Sequence, residues 1–367
     1  MTPRKKGIGI VGYGGFGIFL RESWDAMEEA HVVAVCDSDT SRAPQGVSFH
    51  TRFEDLLSDE AVDIVSIATP PSSHKDLSIE AMRAGKHVLI EKPLALSVDD
   101  CNDIRREAEK TKRVATVNFV LRHNRVVSVL RRIVQENVFG HLRRVDLRNY
   151  ATHETVPEGH WFWKPEVSGR ILLEHGVHFF DLAHHITGAR AVDAWSLGVE
   201  RKAGMEDRVF AAVKYDTGMV GTYWHSFSRP RELETTTFHF AFDLGEIEMV
   251  GWIPLELELW GWTSDAALGS LREMMGNVQS IPIAPRQEKS SEFTYDVAHE
   301  VRTSFALPDP KLDIYAAGVR EVMADVIRSI EDPSHRMLVT LEDGTEAVRI
   351  AQSATEFAHP AHAQQQC

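Results

Sequence analysis

The chain of 367 residues has three cysteines, Cys36, Cys101 and Cys367, and no CxxC spacing among them. No disulfide framework or structural zinc site follows from them, and a reducing compartment is the expectation. No stretch of apolar residues is long enough to span a bilayer, which takes about eighteen or more. Positive charge is in deficit: Lys and Arg number 40 against 54 Asp and Glu, a formal net charge of −14. Such a surface repels a phosphate backbone, so nucleic acid is a poor partner. An HExxH metal motif is missing as well. The opening MTPRKKGIGIVGYGG runs from a few basic residues into a glycine-broken strand without a small-residue cleavage site. No targeting segment is expected, and a cytoplasmic location follows as an expectation.

What is present suffices for two cores. Hydrophobic residues make up 43% of the chain, an ordinary globular share, and the length exceeds one domain. Up to about Arg122, short β-branched runs alternate with helical spacing. Strands are predicted at Gly7–Val11, Val32–Cys36, Ile64–Ala68, Val88–Ile90 and Val114–Phe119. Helices are predicted at Phe16–Glu29, Phe53–Leu57, His74–Ala84 and from Ser97 to about Lys112. This alternation implies a doubly wound parallel sheet covered on both faces. Beyond it, a helix Arg125–Glu136, a strand Leu142–Ala151 and a helix Ile171–Ile186 precede strands that follow one another without helices. The turn Asp216-Thr217-Gly218 joins two of them as a hairpin. An α+β domain on an open mixed or antiparallel sheet is expected, closed by helices over Asp313–Ile330 and Leu341–Phe357. The expected division is 1–123, 124–357, and a frayed tail over 358–367. One face of the second sheet lacks an obvious covering helix, which predicts a homodimer or homotetramer built through it.

Four groups of residues carry chemistry. Gly12-Tyr13-Gly14-Gly15-Phe16-Gly17 follows a strand and opens a helix. There the first glycine permits a tight turn, the second lets a pyrophosphate approach, and the third lets helix and strand pack. Asp37 ends the second strand, twenty residues past Gly17, where a carboxylate accepts from both ribose hydroxyls. That favours NAD, while nearby Arg42 leaves NADP open. Thr69, Pro70, His74 and then Glu91-Lys92-Pro93 sit at strand ends, on the edge where doubly wound sheets bind ligands. Finally, Glu174, His178, Asp181 and His185 recur at helical spacing among apolar neighbours. Bland alternatives stand beside each: an empty glycine turn, a loop-starting Asp, a surface lysine, a solvated helix face. A metal site is the other reading of the last group, though it has no thiolate; none is expected.

The order of these motifs resembles the Gfo/Idh/MocA oxidoreductase family. The residues that carry the resemblance are GxGxxG, Asp37, ATPxxxH ending at His74, GKHVLIEKP, and HGVHFFD within the glycine-started helix. The resemblance covers nearly the whole chain. It implies hydride transfer between a nicotinamide cofactor and a secondary alcohol or ketone of a sugar, inositol or related ring. It puts the catalytic lysine at Lys92 and the catalytic histidine at His178. Glu174 stands where the family usually has Asp. Arg122, after the last Rossmann strand, is implied near the substrate. Trp161 and Trp163, in the stretch HWFW, suit a sugar-stacking wall or equally an interior core. A redox-silent NAD-binding regulator and an NAD-dependent glycosidase of the same fold remain alternatives.

Overall fold

The structure is a computed structural model that describes residues 4–358. The tail expected over 358–367 lies, from residue 359 on, outside the described residues. Two compact units share the chain. Over the described residues, the first comprises 4–120, 164–178 and 312–352, and the second 121–163, 179–311 and 353–358.

In the first unit, six parallel strands form one sheet. They are β1 (Lys6–Val11), β2 (Ala30–Cys36), β3 (Ser48–His50), β4 (Ile64–Ile67), β5 (His87–Ile90) and β6 (Ala115–Val117). Their order is β3-β2-β1-β4-β5-β6, so the order reverses between β1 and β4, the place where such sheets bind dinucleotides. β4 is buried at every position and β1 at all but its first, as expected of strands covered on both faces. Ser97 caps the helix Val98–Thr111, its Oγ accepting from the Asp100 N–H at 3.1 Å.

The single boundary near residue 123 needs correction, because two later segments return to the first unit. Trp24, fully buried, donates from Nε1 to the Val319 carbonyl at 3.2 Å. Thr116 Oγ1 donates to the Val339 carbonyl at 2.7 Å. Gly344 faces Leu94 and Val117 so closely that an added Cβ would stand 3.0 Å from both. Within 312–352, the helices Lys311–Glu331 and Leu341–Ala358 thus pack on the first unit. Periodicity along the chain reports that a helix has an apolar face, not which sheet receives it. The first helix is also shorter than expected, Gly15–Trp24. It stops at Asp25, whose carboxylate accepts from Arg21 and from the Val32 N–H and so turns the chain into β2.

The second unit holds a nine-stranded sheet, β7 (Leu142–Thr152), β8 (Ala191–Lys202), β9 (Met205–Tyr215), β10 (Val220–Arg229), β11 (Thr235–Phe242), β12 (Gly245–Val250), β13 (Glu256–Thr263), β14 (Ser280–Ser290) and β15 (Phe293–Ala306). The order is β14-β15-β13-β12-β11-β7-β10-β9-β8; β7 and β10 are parallel and the other neighbours antiparallel. β9 and β10 are the expected hairpin. On one face, Phe179 and Phe180 pack on Phe238 and Tyr223. The other face exposes Trp195, Leu197 and Val220 at one end, and Glu246, Glu248 and Glu258 toward the other.

Candidate active site

The glycine loop is built for close approach. Gly12 has φ +89°, and a Cβ there would stand 2.6 Å from the Ala68 carbonyl oxygen. A Cβ on Gly17 would stand 2.3 Å from the Gly12 carbonyl oxygen, so any side chain would push the helix off the loop. Gly14 and Gly15 have open space, apart from Arg42 Nη1 at 3.7 Å from the Gly14 Cβ position. A tight turn, bare backbone and a helix N-terminus together fit a pyrophosphate.

Asp37, 8% exposed, closes this loop. Its carboxylate accepts from the Tyr13 N–H at 2.8 Å, the Asp39 N–H at 2.9 Å and Arg42 Nη1 at 3.0 Å. Burial pushes the carboxyl up, but these donors outweigh it and leave Asp37 below its ordinary range. It is a fixed anion at the end of β2, suited to ribose hydroxyls. Arg42 lies on it with its guanidinium 46% exposed.

His74 is fully buried, its Nδ1 2.7 Å from the Pro93 carbonyl and its Nε2 2.9 Å from the Thr69 carbonyl. Burial holds the ring below the usual imidazole range. Its side chain therefore ties the loop after β4 to the loop after β5, positioning Thr69, Pro70 and Lys92. The Lys92–Pro93 peptide is cis. Glu91 also turns inward: its Oε1 accepts from Asn118 Nδ2 at 2.5 Å, and burial pushes the carboxyl up to about 7. Asn118, 2% exposed, lay within the expected strand Val114–Phe119 and carried no signal of its own.

Lys92, at the end of β5, meets the helical segment of the same unit. Its Nζ donates to Glu174 Oε1 at 2.5 Å and to the Glu174 carbonyl at 2.9 Å. The two side chains are only 16% and 12% exposed. An ammonium has three protons, so one remains for a ligand. The helix expected over Ile171–Ile186 is not uniform: Leu172–Gly176 is a π-helical turn, followed by α-helix Val177–Thr187. Such turns disturb the regular backbone ladder and are frequent at functional sites. Here the turn delivers both the carbonyl and the carboxylate of Glu174 to Lys92.

His178 is 7% exposed, beside Phe119 with ring centroids 6.2 Å apart. Burial, then the Lys92 charge, then His175 hold it well below the usual imidazole range. His175, which the sequence reading passed over inside the motif it quoted, is held down to about 3 by burial and then by Lys92. Lys92, Glu174, His175 and His178 thus form one cluster in the first unit.

The other expected site residues belong to the second unit. Arg122 is spent on Asp181, with Nε 3.0 and 3.1 Å from its two oxygens and Nη2 at 2.6 Å from Oδ1. The side chains are 5% and 2% exposed, a sealed ion pair. Between Trp161 and Trp163, Phe162 enters the core against Phe227 at 4.7 Å. Trp163 Nε1 donates to the Val156 carbonyl at 2.9 Å. Among the described residues, no three His, Cys, Asp or Glu side chains are grouped to hold a metal ion.

Comparison with known proteins adds the lineage. Residues 6–119 match the model of an oxidoreductase family with an NAD-binding Rossmann fold, and residues 127–248 match the GFO/IDH/MocA C-terminal domain. A myo-inositol 2-dehydrogenase of Thermotoga maritima is 27% identical over 228 residues, 58% of this chain and 66% of that protein. A 1,5-anhydro-D-fructose reductase of Ensifer adhaerens is 28% identical over 183 residues, 48% and 54%. The chain thus spans between half and two thirds of these relatives' length. The solved WlbA dehydrogenase of Bordetella pertussis, in complex with NADH and UDP-GlcNAcA, shares the fold with TM-score 0.77 at 18% identity, covering 98% of this chain and 97% of that one.

Proposed function

Since the chain belongs to the Gfo/Idh/MocA oxidoreductase family, we propose that it is an NAD-dependent dehydrogenase or reductase acting on a secondary alcohol or ketone of a sugar, inositol or related ring. The observation that carries this reading is the cluster of Lys92, Glu174 and His178 in the same unit as the glycine loop and Asp37. When bound, the nicotinamide supplies the hydride acceptor or donor. The remaining Lys92 N–H donates to the reacting oxygen and stabilises developing alkoxide charge. His178, neutral at neutral pH, accepts the hydroxyl proton during oxidation and returns it during reduction. Glu174 holds Lys92 from side chain and backbone at once, which fixes where the third N–H points.

Asp37 favours NAD over NADP, and the setting is cytoplasmic. The open face of the second sheet is proposed to pair with a second copy. Trp195, Leu197, Phe210 and Trp224 form its apolar end, Arg144 and Arg148 its middle, and Glu246, Glu248 and Glu258 its acidic end. All share one face by strand register. A two-fold pairing brings the same patch of both copies together. A redox-silent regulator needs the glycine loop but not the Lys92 cluster. A screen of cyclic polyols and aldoses with NAD and NADP, read as nicotinamide absorbance, tests the proposal. Absence of turnover across the panel, with NAD bound, would favour the regulator.

A further inference from the structure

A nicotinamide site meets two charges, because the ring is cationic in NAD and neutral in NADH. Glu91 is placed to respond to the difference. It follows β5, one strand from the point where the sheet order reverses, and its N–H donates to the Ile67 carbonyl at 2.9 Å, at the end of β4. Tyr315, on the helix Lys311–Glu331, links it to the glycine loop. The Tyr315 ring packs beside Phe19 and Phe16, with centroids 4.8 and 6.3 Å away. Burial and then the Glu91 charge hold the Tyr315 phenol above its ordinary range. The other charged groups that face Glu91 are Lys92, which favours the carboxylate, and Glu174, which opposes it. Burial outweighs the donors and holds the carboxyl at about 7, so it is poised between its two charge states near neutral pH. His175 and His178, held low by burial and then by Lys92, stay neutral there.

Asn118 serves either state of this carboxyl. Its Nδ2 donates to Glu91 Oε1 at 2.5 Å, the bond that an ionised carboxylate takes. Among the described residues, no donor reaches its buried Oδ1. Turned over, the same amide accepts from a protonated carboxyl. Glu91 therefore keeps a hydrogen bond whether or not it carries a proton.

Resting on the dehydrogenase reading above, we propose that Glu91 discriminates between the two redox forms of the cofactor, ionised with NAD and protonated with NADH. A cation near a carboxyl favours the ionised form, and a neutral ring that excludes water favours the protonated one. In the oxidation direction the substrate loses a hydride to the nicotinamide and a proton from its hydroxyl. Glu91 takes up one proton as the ring's charge is cancelled. The site's net charge is the same before and after, and no proton is released overall. By linkage, NAD binding releases protons and strengthens as pH rises through neutrality, while NADH binding takes protons up and weakens. The ratio of the two affinities then changes by up to about tenfold per pH unit.

The test is calorimetric titration of the full chain with NAD and, separately, with NADH. Buffers of differing ionisation enthalpy give the protons exchanged on binding. Near pH 7, NAD should release up to about half a proton and NADH should take up as much. In Glu91→Gln, which keeps the shape of the protonated form, the difference between the two counts should fall below about a tenth of a proton. Asn118→Ala removes the donor that favours ionisation, so the pH at which the difference peaks should move up; this variant decides the matter if Glu91→Gln does not fold. Equal counts for NAD and NADH in the unaltered protein, a difference that persists in Glu91→Gln, or an unmoved peak in Asn118→Ala overturns the inference. Each leaves the dehydrogenase reading to the polyol screen. Binding of neither NAD nor NADH overturns that reading and the inference with it.

Discussion

Replacing Lys92 separates the two things its ammonium does. Lys92→Met keeps most of the stem and removes the charge. Glu174 then loses its partners at 2.5 and 2.9 Å in a site where its side chain is 12% exposed. Breaking a buried ion pair by removing one partner costs about 3–5 kcal/mol. The residual exposure here argues for the lower end, about 3 kcal/mol. The double variant Lys92→Met/Glu174→Gln no longer strands a carboxylate, so its stability should return to within about 1 kcal/mol of the parent. Activity should not return, because the donor to the developing alkoxide is still missing. Such a donor is worth about 10²–10³ in kcat. Lys92 also depresses His178, so in both variants the imidazole rises toward its ordinary range. Base catalysis is lost as pH falls through that value, so the acid limb of residual activity should move to higher pH. Urea melts and kcat against pH read the two effects independently. If kcat recovers along with stability in the double variant, or Lys92→Met keeps kcat within about threefold, Lys92 is structural and the mechanism is wrong.

Asp37→Ala should weaken NAD binding by about 1–2 kcal/mol, the scale of hydrogen bonds to a charged group, and should free Arg42 so that NADP improves relative to NAD. A parent protein preferring NADP tenfold would contradict the assignment. Glu91 sets a pH dependence of stability. Its carboxyl moves from 4.5 to about 7 on folding, so its contribution is complete below 4.5 and lost as pH rises through 7. The loss amounts to about 3 kcal/mol. Glu91→Gln should flatten that fall in chemical melts run across this window, and an unchanged slope refutes the assignment. Trp195→Glu with Leu197→Glu, both on the exposed face of β8, should reduce the assembly to monomer in light scattering with little change in the thermal melt. A parent protein already monomeric at micromolar concentration refutes the interface.

The first sheet was legible because its strands are short, apolar and punctuated by glycine, and because β1 and β4 are buried on both faces. β3 was not, since three residues at an edge make no periodic pattern. Between Val250 and Asp313 the sequence pattern gives no expectation. The structure places β13, the helix Asp265–Met275, β14 and β15 there. β14 is largely exposed and broken between Pro282 and Arg286, so it lacks the apolar alternation that marks a half-buried strand. Lys92, Glu174 and His178 were legible from motifs and are brought together in the first unit. Arg122, implied near a substrate by the resemblance, has its guanidinium paired with Asp181, a partner that no local pattern reveals. His74 and Glu91 were read as facing a cofactor. Their polar atoms are satisfied by Thr69, Pro93 and Asn118, partners that no local pattern reveals.

The change of helix type at Leu172–Gly176 is the point where sequence, backbone and chemistry meet. Counting residues along an ideal α-helix lays Glu174, His178, Asp181 and His185 on one stripe, which treats all four as alike. The widened turn breaks that equivalence. It commits Glu174 to Lys92 through both carboxylate and carbonyl, and it brings His175 to within 6.3 Å of His178. Farther along the helix, Asp181 is taken by Arg122. A Glu in place of the family's usual Asp has the extra methylene needed to reach the ammonium while its own backbone oxygen also binds it. The two Glu174 contacts leave Lys92 one proton to offer, and that single donor, flanked by two neutral imidazoles, is what distinguishes this cluster from a solvated helix face.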